Sequence, residues 1–225
     1  MRLGIVIALD AEARTLTRRD GRFLSHDSYQ VLVSGPGPTR AEAAARALLA
    51  AGCDALLSFG LAGGLAPHLR PGALVLGERV LSAQGETLEC SPALRERIAT
   101  RLASNRPHAA PLYGADQPLV GHADKRALYE QFGAVAVDME SAAIARVAAA
   151  HACPCAVVRC VVDPCDFTLP RAALLGMAED GGNRPLATAR AVLRHPGELP
   201  ALLRLALWYG GALRTLRGAG ALLCE

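Results

Sequence analysis

Two carboxylates stand where a bond-cleaving pair could form. Glu140 follows the apolar run Ala134–Val137, and Asp163 ends the β-branched run Ala156–Val162. The first run reads as a buried strand and Asp138-Met139-Glu140-Ser141 as the opening of a helix. The second run, after Cys153-Pro154-Cys155, reads as another strand. Strand, helix and strand in this order predict a βαβ unit, which would bring both acids to the carboxyl edge of an open α/β sheet, where ligands bind. A carboxyl held protonated there can serve as a general acid, while an ionised neighbour stabilises developing positive charge. A third acid, Glu12, lies just past the apolar run Leu3–Leu9. Each has a plainer reading. Asp163 before Pro164 could simply end a strand in a turn. Asp10 could cap the first helix with Glu12 as a dipole partner, and Met139 is by default a core residue.

The elements that would position these acids alternate along the chain. Strands are expected at Leu3–Leu9, Tyr29–Val33, Ala55–Phe59, Ala73–Leu81 and within Pro111–Val120. Helices are expected at Ala41–Ala51, Leu94–Leu102 and Lys125–Phe132. Glycine turns follow two strands, Ser34-Gly35-Pro36-Gly37 and Gly60-Leu61-Ala62-Gly63-Gly64, and backbone N–H groups in such turns can meet an anion or a sugar hydroxyl. The alternation predicts a three-layer α/β/α sandwich with a central mixed sheet.

Composition bounds the function. With 225 residues and 52% hydrophobic content the chain suits one large domain. A net charge of +3, with no basic cluster interleaved with aromatics, argues against a nucleic-acid partner. Nearly all its cations are arginines, Lys125 being the one lysine, a bias that reads as composition rather than mechanism. The seven scattered cysteines read as free thiols in a reducing cytoplasm, and their spacing does not suggest a metal site. Beyond Asp166, Ala172–Met177 and Pro185–Leu193 look helical. Residues 198–225 read as a C-terminal apolar extension of a domain spanning 1–197. Arg204, Arg214 and Arg217 and the Gly210-Gly211 pair argue against a spanning helix in Leu199–Leu223. Two helices packed on the domain or on another subunit are expected there, or a segment lying at a membrane surface.

Four stretches together resemble the purine nucleoside phosphorylase/uridine phosphorylase superfamily: GIVIALDAEA, SGPGPTRA, LLSFGLAGGLAPHLRPGALVLGERV, and AVDMESAAIARV with CAVVRCVVD. Within it the chain is similar to the methylthioadenosine/S-adenosylhomocysteine nucleosidases. GAVAVDMESAAIARV and VVDPCDFTLP look most like the hopanoid-associated phosphorylases, which are implicated in releasing adenine from adenosylhopane. The resemblance implies purine release with Asp163 protonating the base at N7, Glu12 activating the attacking water, and Glu140 with Met139 binding ribose. It also implies Leu119 and Val120 in the base pocket, Gly35, Gly37, Gly60 and Arg14 at a phosphate or water site, and Arg159 supporting the acids. No cofactor is implied beyond inorganic phosphate as a co-substrate. The expected partner is a small adenosyl nucleoside, lipid-linked in the narrower match, handled by a cytoplasmic homodimer or larger oligomer at or near the inner membrane face. Three positions depart from the family pattern. Val162 replaces the serine that orients the catalytic acid. Leu61 replaces a hydroxyl residue and Ser58 stands where hexameric phosphorylases carry a phosphate-binding arginine, both of which weaken phosphorolysis. Arg14 falls where those phosphorylases place another phosphate-binding arginine, so both reactions stay open with hydrolysis favoured.

Overall fold

The computed structural model describes residues 1–16, 28–175, 190–191 and 193–224. Eight strands form one mixed sheet: β1 (Leu3–Ile7), β2 (Tyr29–Val33), β3 (Ala55–Gly64), β4 (Leu74–Ser82), β5 (Thr87–Glu89), β6 (His108–Gly114), β7 (Ala136–Asp138) and β8 (Cys155–Asp163). The helices are α1 (Asp10–Ala13), α2 (Pro38–Ala50), α3 (Pro92–Arg101), α4 (His122–Phe132), α5 (Ser141–Ala150), α6 (Arg171–Leu175) and α7 (Leu199–Cys224).

Strand periodicity separates two apolar layers. Ile5 and Ile7 of β1, with Leu57 and Phe59 of β3, face Leu94 and Ile98 of α3 and Ala212, Leu216 and Ala219 of α7. Val6 and Leu56 point the other way, against α2 and α5. Alanines at 41, 44, 143 and 148 make that second helix pair thin, and Gly4 lets α2 close on β1, since a Cβ there would sit 3.0 Å from Leu48 Cβ. The α/β/α layering is the one the alternation predicts.

Three features depart from that prediction. The sheet curls round on itself. β3 pairs with β8 in parallel, β8 with β4 antiparallel, β4 with β6 and β6 with β7 in parallel, and β7 returns antiparallel to the far end of β3. β7 and β8 are therefore not neighbours, and the βαβ unit expected around α5 is instead a passage from one side of β3 to the other. The stretch Gly60–Gly64 continues β3 rather than forming a turn. α7 is one helix through Gly210 and Gly211, not two. Each glycine costs about 1 kcal/mol in a helix interior, which burial of Ala212, Leu216 and Ala219 at the core offsets. The helix expected at Pro185–Leu193 falls largely outside the described residues, as does the end of Ala172–Met177. No helix among the described residues is long and apolar enough to cross a membrane.

Candidate active site

A cavity of ≈ 230 Å³ opens where β1, β7 and β8 end. Glu12, Met139, Glu140, Asp163 and Leu119 line it, with Leu9, Pro36, Leu61, Leu169, Leu205 and Tyr209 supplying much of the rest of the wall. The three acids scattered over 150 positions of sequence thus share one apolar chamber.

Each acid is fixed by its element. Glu12 sits in the first turn of α1, but Asp10 is not the cap: Leu9 is, and Glu12 turns back to accept its N–H at 3.0 Å. The other Glu12 oxygen accepts the N–H of Leu61 at 2.7 Å. Burial pushes this carboxyl up to about 7, against the opposing pull of Arg159. Glu140 precedes α5, accepts the Gly37 N–H at 2.9 Å, and lies 3.5 Å from the Arg159 guanidinium. Burial raises its carboxyl as well, Arg159 opposing and Asp138 adding to the rise. Gly37 holds φ at 100°, a backbone region that favours glycine, so this turn presents its N–H to a carboxylate rather than to an incoming anion. Asp163 ends β8 opposite an irregularity in the β3 pairing between Ala62 and Gly63, the kind of local bend that re-aims a side chain beside a site. Burial raises it too, while Lys125 pulls the other way without cancelling the rise.

Arg159 lies beneath the acids, 1% exposed. Its Nε is 3.0 Å from Asp138 Oδ2, and its Nη2 donates to Ser58 Oγ at 2.7 Å. Asp138 in turn accepts the N–H groups of Glu140 and Ser141 at 2.8 and 2.7 Å, fixing the chain as it enters α5, whose N-cap is Glu140. Burial works against the Arg159 charge, and Asp138, Glu140 and Glu12 more than compensate, so the guanidinium stays charged.

The other expected site residues divide. Gly60 faces Arg159 and Glu12, not an open phosphate site: a Cβ there would meet Arg159 Nη1 at 2.5 Å and Glu12 Oε1 at 2.8 Å. Gly60→Ala is accordingly expected to displace both groups and destabilise the fold by about 1–3 kcal/mol, read as a lowered urea midpoint together with lost activity. Gly35, Val120 and Arg14 are not on the cavity wall, although Val120 fixes the next segment by accepting the Leu169 N–H at 3.1 Å.

Four participants were not singled out from the sequence. Asp138 stands between an apolar run and a helix start, where a short acid side chain accepts backbone N–H groups, and that placement could have found it. Ser58 stood out only as a departure, yet it and Ser141 hold Arg159. Tyr209 lines the cavity, and burial, then the nearby Glu12, pushes its phenol to about 12, so it remains neutral. Lys125 is fully buried and ion-paired with Asp163. Its rarity was the available signal.

The phosphorylase superfamily profile matches residues 21–194. The chain belongs to that superfamily. Comparison with curated proteins gives no significant sequence match. Solved structures share the superfamily fold at low identity. A methylthioadenosine/S-adenosylhomocysteine nucleosidase from Helicobacter pylori, bound to butyl-thio-DADMe-Immucillin-A, superposes with a TM-score of 0.67 at 18% identity, covering 97% of each chain. Futalosine hydrolase from the same organism gives 0.66 at 21%, covering 74% of this chain and 86% of that one. The Colwellia psychrerythraea nucleosidase in complex with adenine gives 0.63 at 21%, covering 73% and 83%.

Proposed function

We propose that this superfamily member hydrolyses the N-glycosidic bond of an adenosyl nucleoside and releases adenine. The observation that carries the reading is the convergence of Glu12, Glu140 and Asp163 on one apolar cavity. Breaking the bond leaves positive charge on the sugar and negative charge on the base. Asp163 protonates the base so that it departs neutral. Glu140 binds the ribose hydroxyls and stabilises the cationic sugar, against which Met139 packs. Glu12 takes a proton from the attacking water. Water rather than phosphate is favoured because no Arg or Lys lines the cavity among the described residues, and a buried dianion needs charge-assisted donors. A solved structure of the same fold that holds adenine supports the choice of base. Incubation with adenosine, methylthioadenosine and adenosylhopane, with and without phosphate, tests the reading. Adenine and a free sugar, formed at a phosphate-independent rate, are expected. A sugar phosphate formed only with phosphate would make the enzyme a phosphorylase, and binding without turnover would make it a nucleoside-binding module.

Glu12 sets a pH dependence. It must be ionised to accept a proton, and its carboxyl titrates at about 7. The rate is therefore expected to fall about tenfold per pH unit below that value, Glu12 setting the acid limb of the profile and Asp163 the alkaline one. The same raised value means that protonation favours the fold: this contribution is complete below the ordinary carboxyl range and is lost as pH rises through about 7. An acid limb absent down to the ordinary carboxyl range would remove Glu12 from the base role.

We further propose adenosylhopane as the substrate, handled at the cytoplasmic face of the membrane by a homodimer or larger assembly. The first half of α7 supports this reading. Leu205 and Tyr209 face the cavity, while Leu199, Leu203 and Leu207 on the same half-helix are exposed, Leu207 by 76%. A fused-ring hydrocarbon leaving the cavity has an apolar path there, at about 25 cal/mol per Å² kept from water. Removing everything after Gly197 would not isolate this role, because Ala212, Leu216 and Ala219 belong to the main core. Paired Leu203→Asp and Leu207→Asp substitutions are cleaner. They are expected to leave methylthioadenosine cleavage unchanged while lowering adenosylhopane cleavage and vesicle binding at least about tenfold. Equal rates on both substrates would retire the membrane reading, and a monomer in sedimentation would retire the assembly.

A further inference from the structure

Lys125 is the only lysine in a chain that otherwise uses arginine, and it is fully buried. It reaches from α4 to the end of β8, where Nζ donates to Asp163 Oδ2, to Pro164 O at 3.2 Å and to Phe167 O at 2.9 Å. The three acceptors match in number the three protons of an ammonium group. The charged groups set around Asp163 among the described residues are then Lys125 behind it and Glu12 and Glu140 across the cavity, with Asp138 also on the wall. An ion pair at this point is unexpected if the only requirement on Asp163 is to remain protonated, since a cation favours the carboxylate.

We propose that Lys125 is the positioning residue for Asp163, holding the carboxyl toward the base and stabilising the carboxylate that forms as the proton is handed over. The inference rests on the nucleosidase reading above. In the step, the Asp163 O–H bond breaks and its proton passes to a ring nitrogen of the base. The electron pair of the glycosidic bond moves onto the base. The water oxygen bonds to the sugar carbon and the water proton goes to Glu12. Asp163 is left ionised beside an ammonium that was already in place, and exchange with solvent returns both carboxyls to their starting forms. Burial alone would make Asp163 a reluctant acid, while a solvated carboxyl would be ionised before the substrate arrived. Burial beside Lys125 gives an acid that is protonated and still able to release its proton. The other two hydrogen bonds fix the turn that follows. Phe167 at that turn packs edge-on against Trp208 of α7, ring centres 5.0 Å apart, so Lys125 also ties the acid to the helix that walls the cavity.

The test is the pH profile of adenine release from methylthioadenosine by the full chain carrying Lys125→Gln, Lys125→Met or Lys125→Arg. Loss of the charge should move the alkaline limb of kcat upward by about 1–3 pH units. It should lower kcat at neutral pH about tenfold or more, with KM changed less than about threefold. Lys125→Arg should return the limb toward its wild-type position. A purely structural lysine predicts lower stability with an unmoved limb, and that result overturns the proposal. A second arm needs no variant of Lys125 and no turnover. Because the chain has one lysine, isotope labelling of lysine Nζ gives one nuclear magnetic resonance signal. It should report an ammonium whose shift steps as Asp163 titrates, the step vanishing in Asp163→Asn. A neutral amine, or no step, overturns the proposal even if neither uncharged variant folds. Absence of adenine release by the wild type, with the step present, would count against the nucleosidase reading and leave the coupled pair standing.

Discussion

Asp163→Asn is expected to lower turnover about 10²–10⁴-fold, because the amide keeps the shape of the carboxyl but has no proton to give the departing base. KM should change little, since the loss falls on the transition state. The sequence alone suggests a variant that folds as well as the parent. The buried pair with Lys125 changes that expectation. Where Asp163 is ionised the substitution leaves the buried Lys125 charge uncompensated, which costs up to about 3–5 kcal/mol, whereas below its titration the amide replaces a neutral carboxyl at little cost. The amide oxygen and the carbonyls of Pro164 and Phe167 can still accept from Lys125, so the lower end of that range is expected. Parallel urea titrations and rate measurements separate the two effects. Near-parental turnover would remove Asp163 from the mechanism, and unchanged stability at a pH above the Asp163 titration would contradict the buried ion pair.

Arg159→Met should have the largest effect on stability. The guanidinium is the shared counter-charge of Asp138, Glu140 and Glu12, all buried with it. Without it, three carboxyls remain in the interior with at most neutral donors, and a loss of about 3–5 kcal/mol is expected, a large share of a typical domain's 5–15 kcal/mol. The sign of its pH dependence follows from the acids. Arg159 now opposes the burial that raises Glu12 and Glu140. Its removal lifts both further above their unfolded values, so the folded state gains more from protonation and the deficit should be smallest at low pH and grow as pH rises. Urea midpoints at about pH 5 and about pH 8 test this, a reversed order contradicting the arrangement. Arg159→Lys keeps a charge but cannot reach Asp138, Glu140 and Ser58 together, and is expected to recover only part of the loss.

The sequence by itself determined the local elements and the identity of the acids. Apolar runs such as Leu3–Ile7 and Cys155–Asp163 form strands in any α/β arrangement because their alternation and β-branching suit a pleated, buried backbone. A carboxylate just past such a run marks a ligand edge before any coordinate is known, which is why Glu12, Glu140 and Asp163 were legible. Tertiary structure alone decided what surrounds them. That β7 and β8 flank β3 instead of pairing is set by ring closure through β4 and β6, and long-range pairing leaves no mark at short spacing. The glycines of β3 read as a turn because backbone flexibility is the local signal of glycine. Their role here is clearance: Gly60 makes room for Arg159 and Glu12, a requirement that arises only when three distant segments meet. Lys125 makes the same point from the other side. Alone on an amphipathic helix it is an ordinary surface cation, and only the packing of α4 against the end of β8 turns it inward onto Asp163, where burial gives a single charge its leverage.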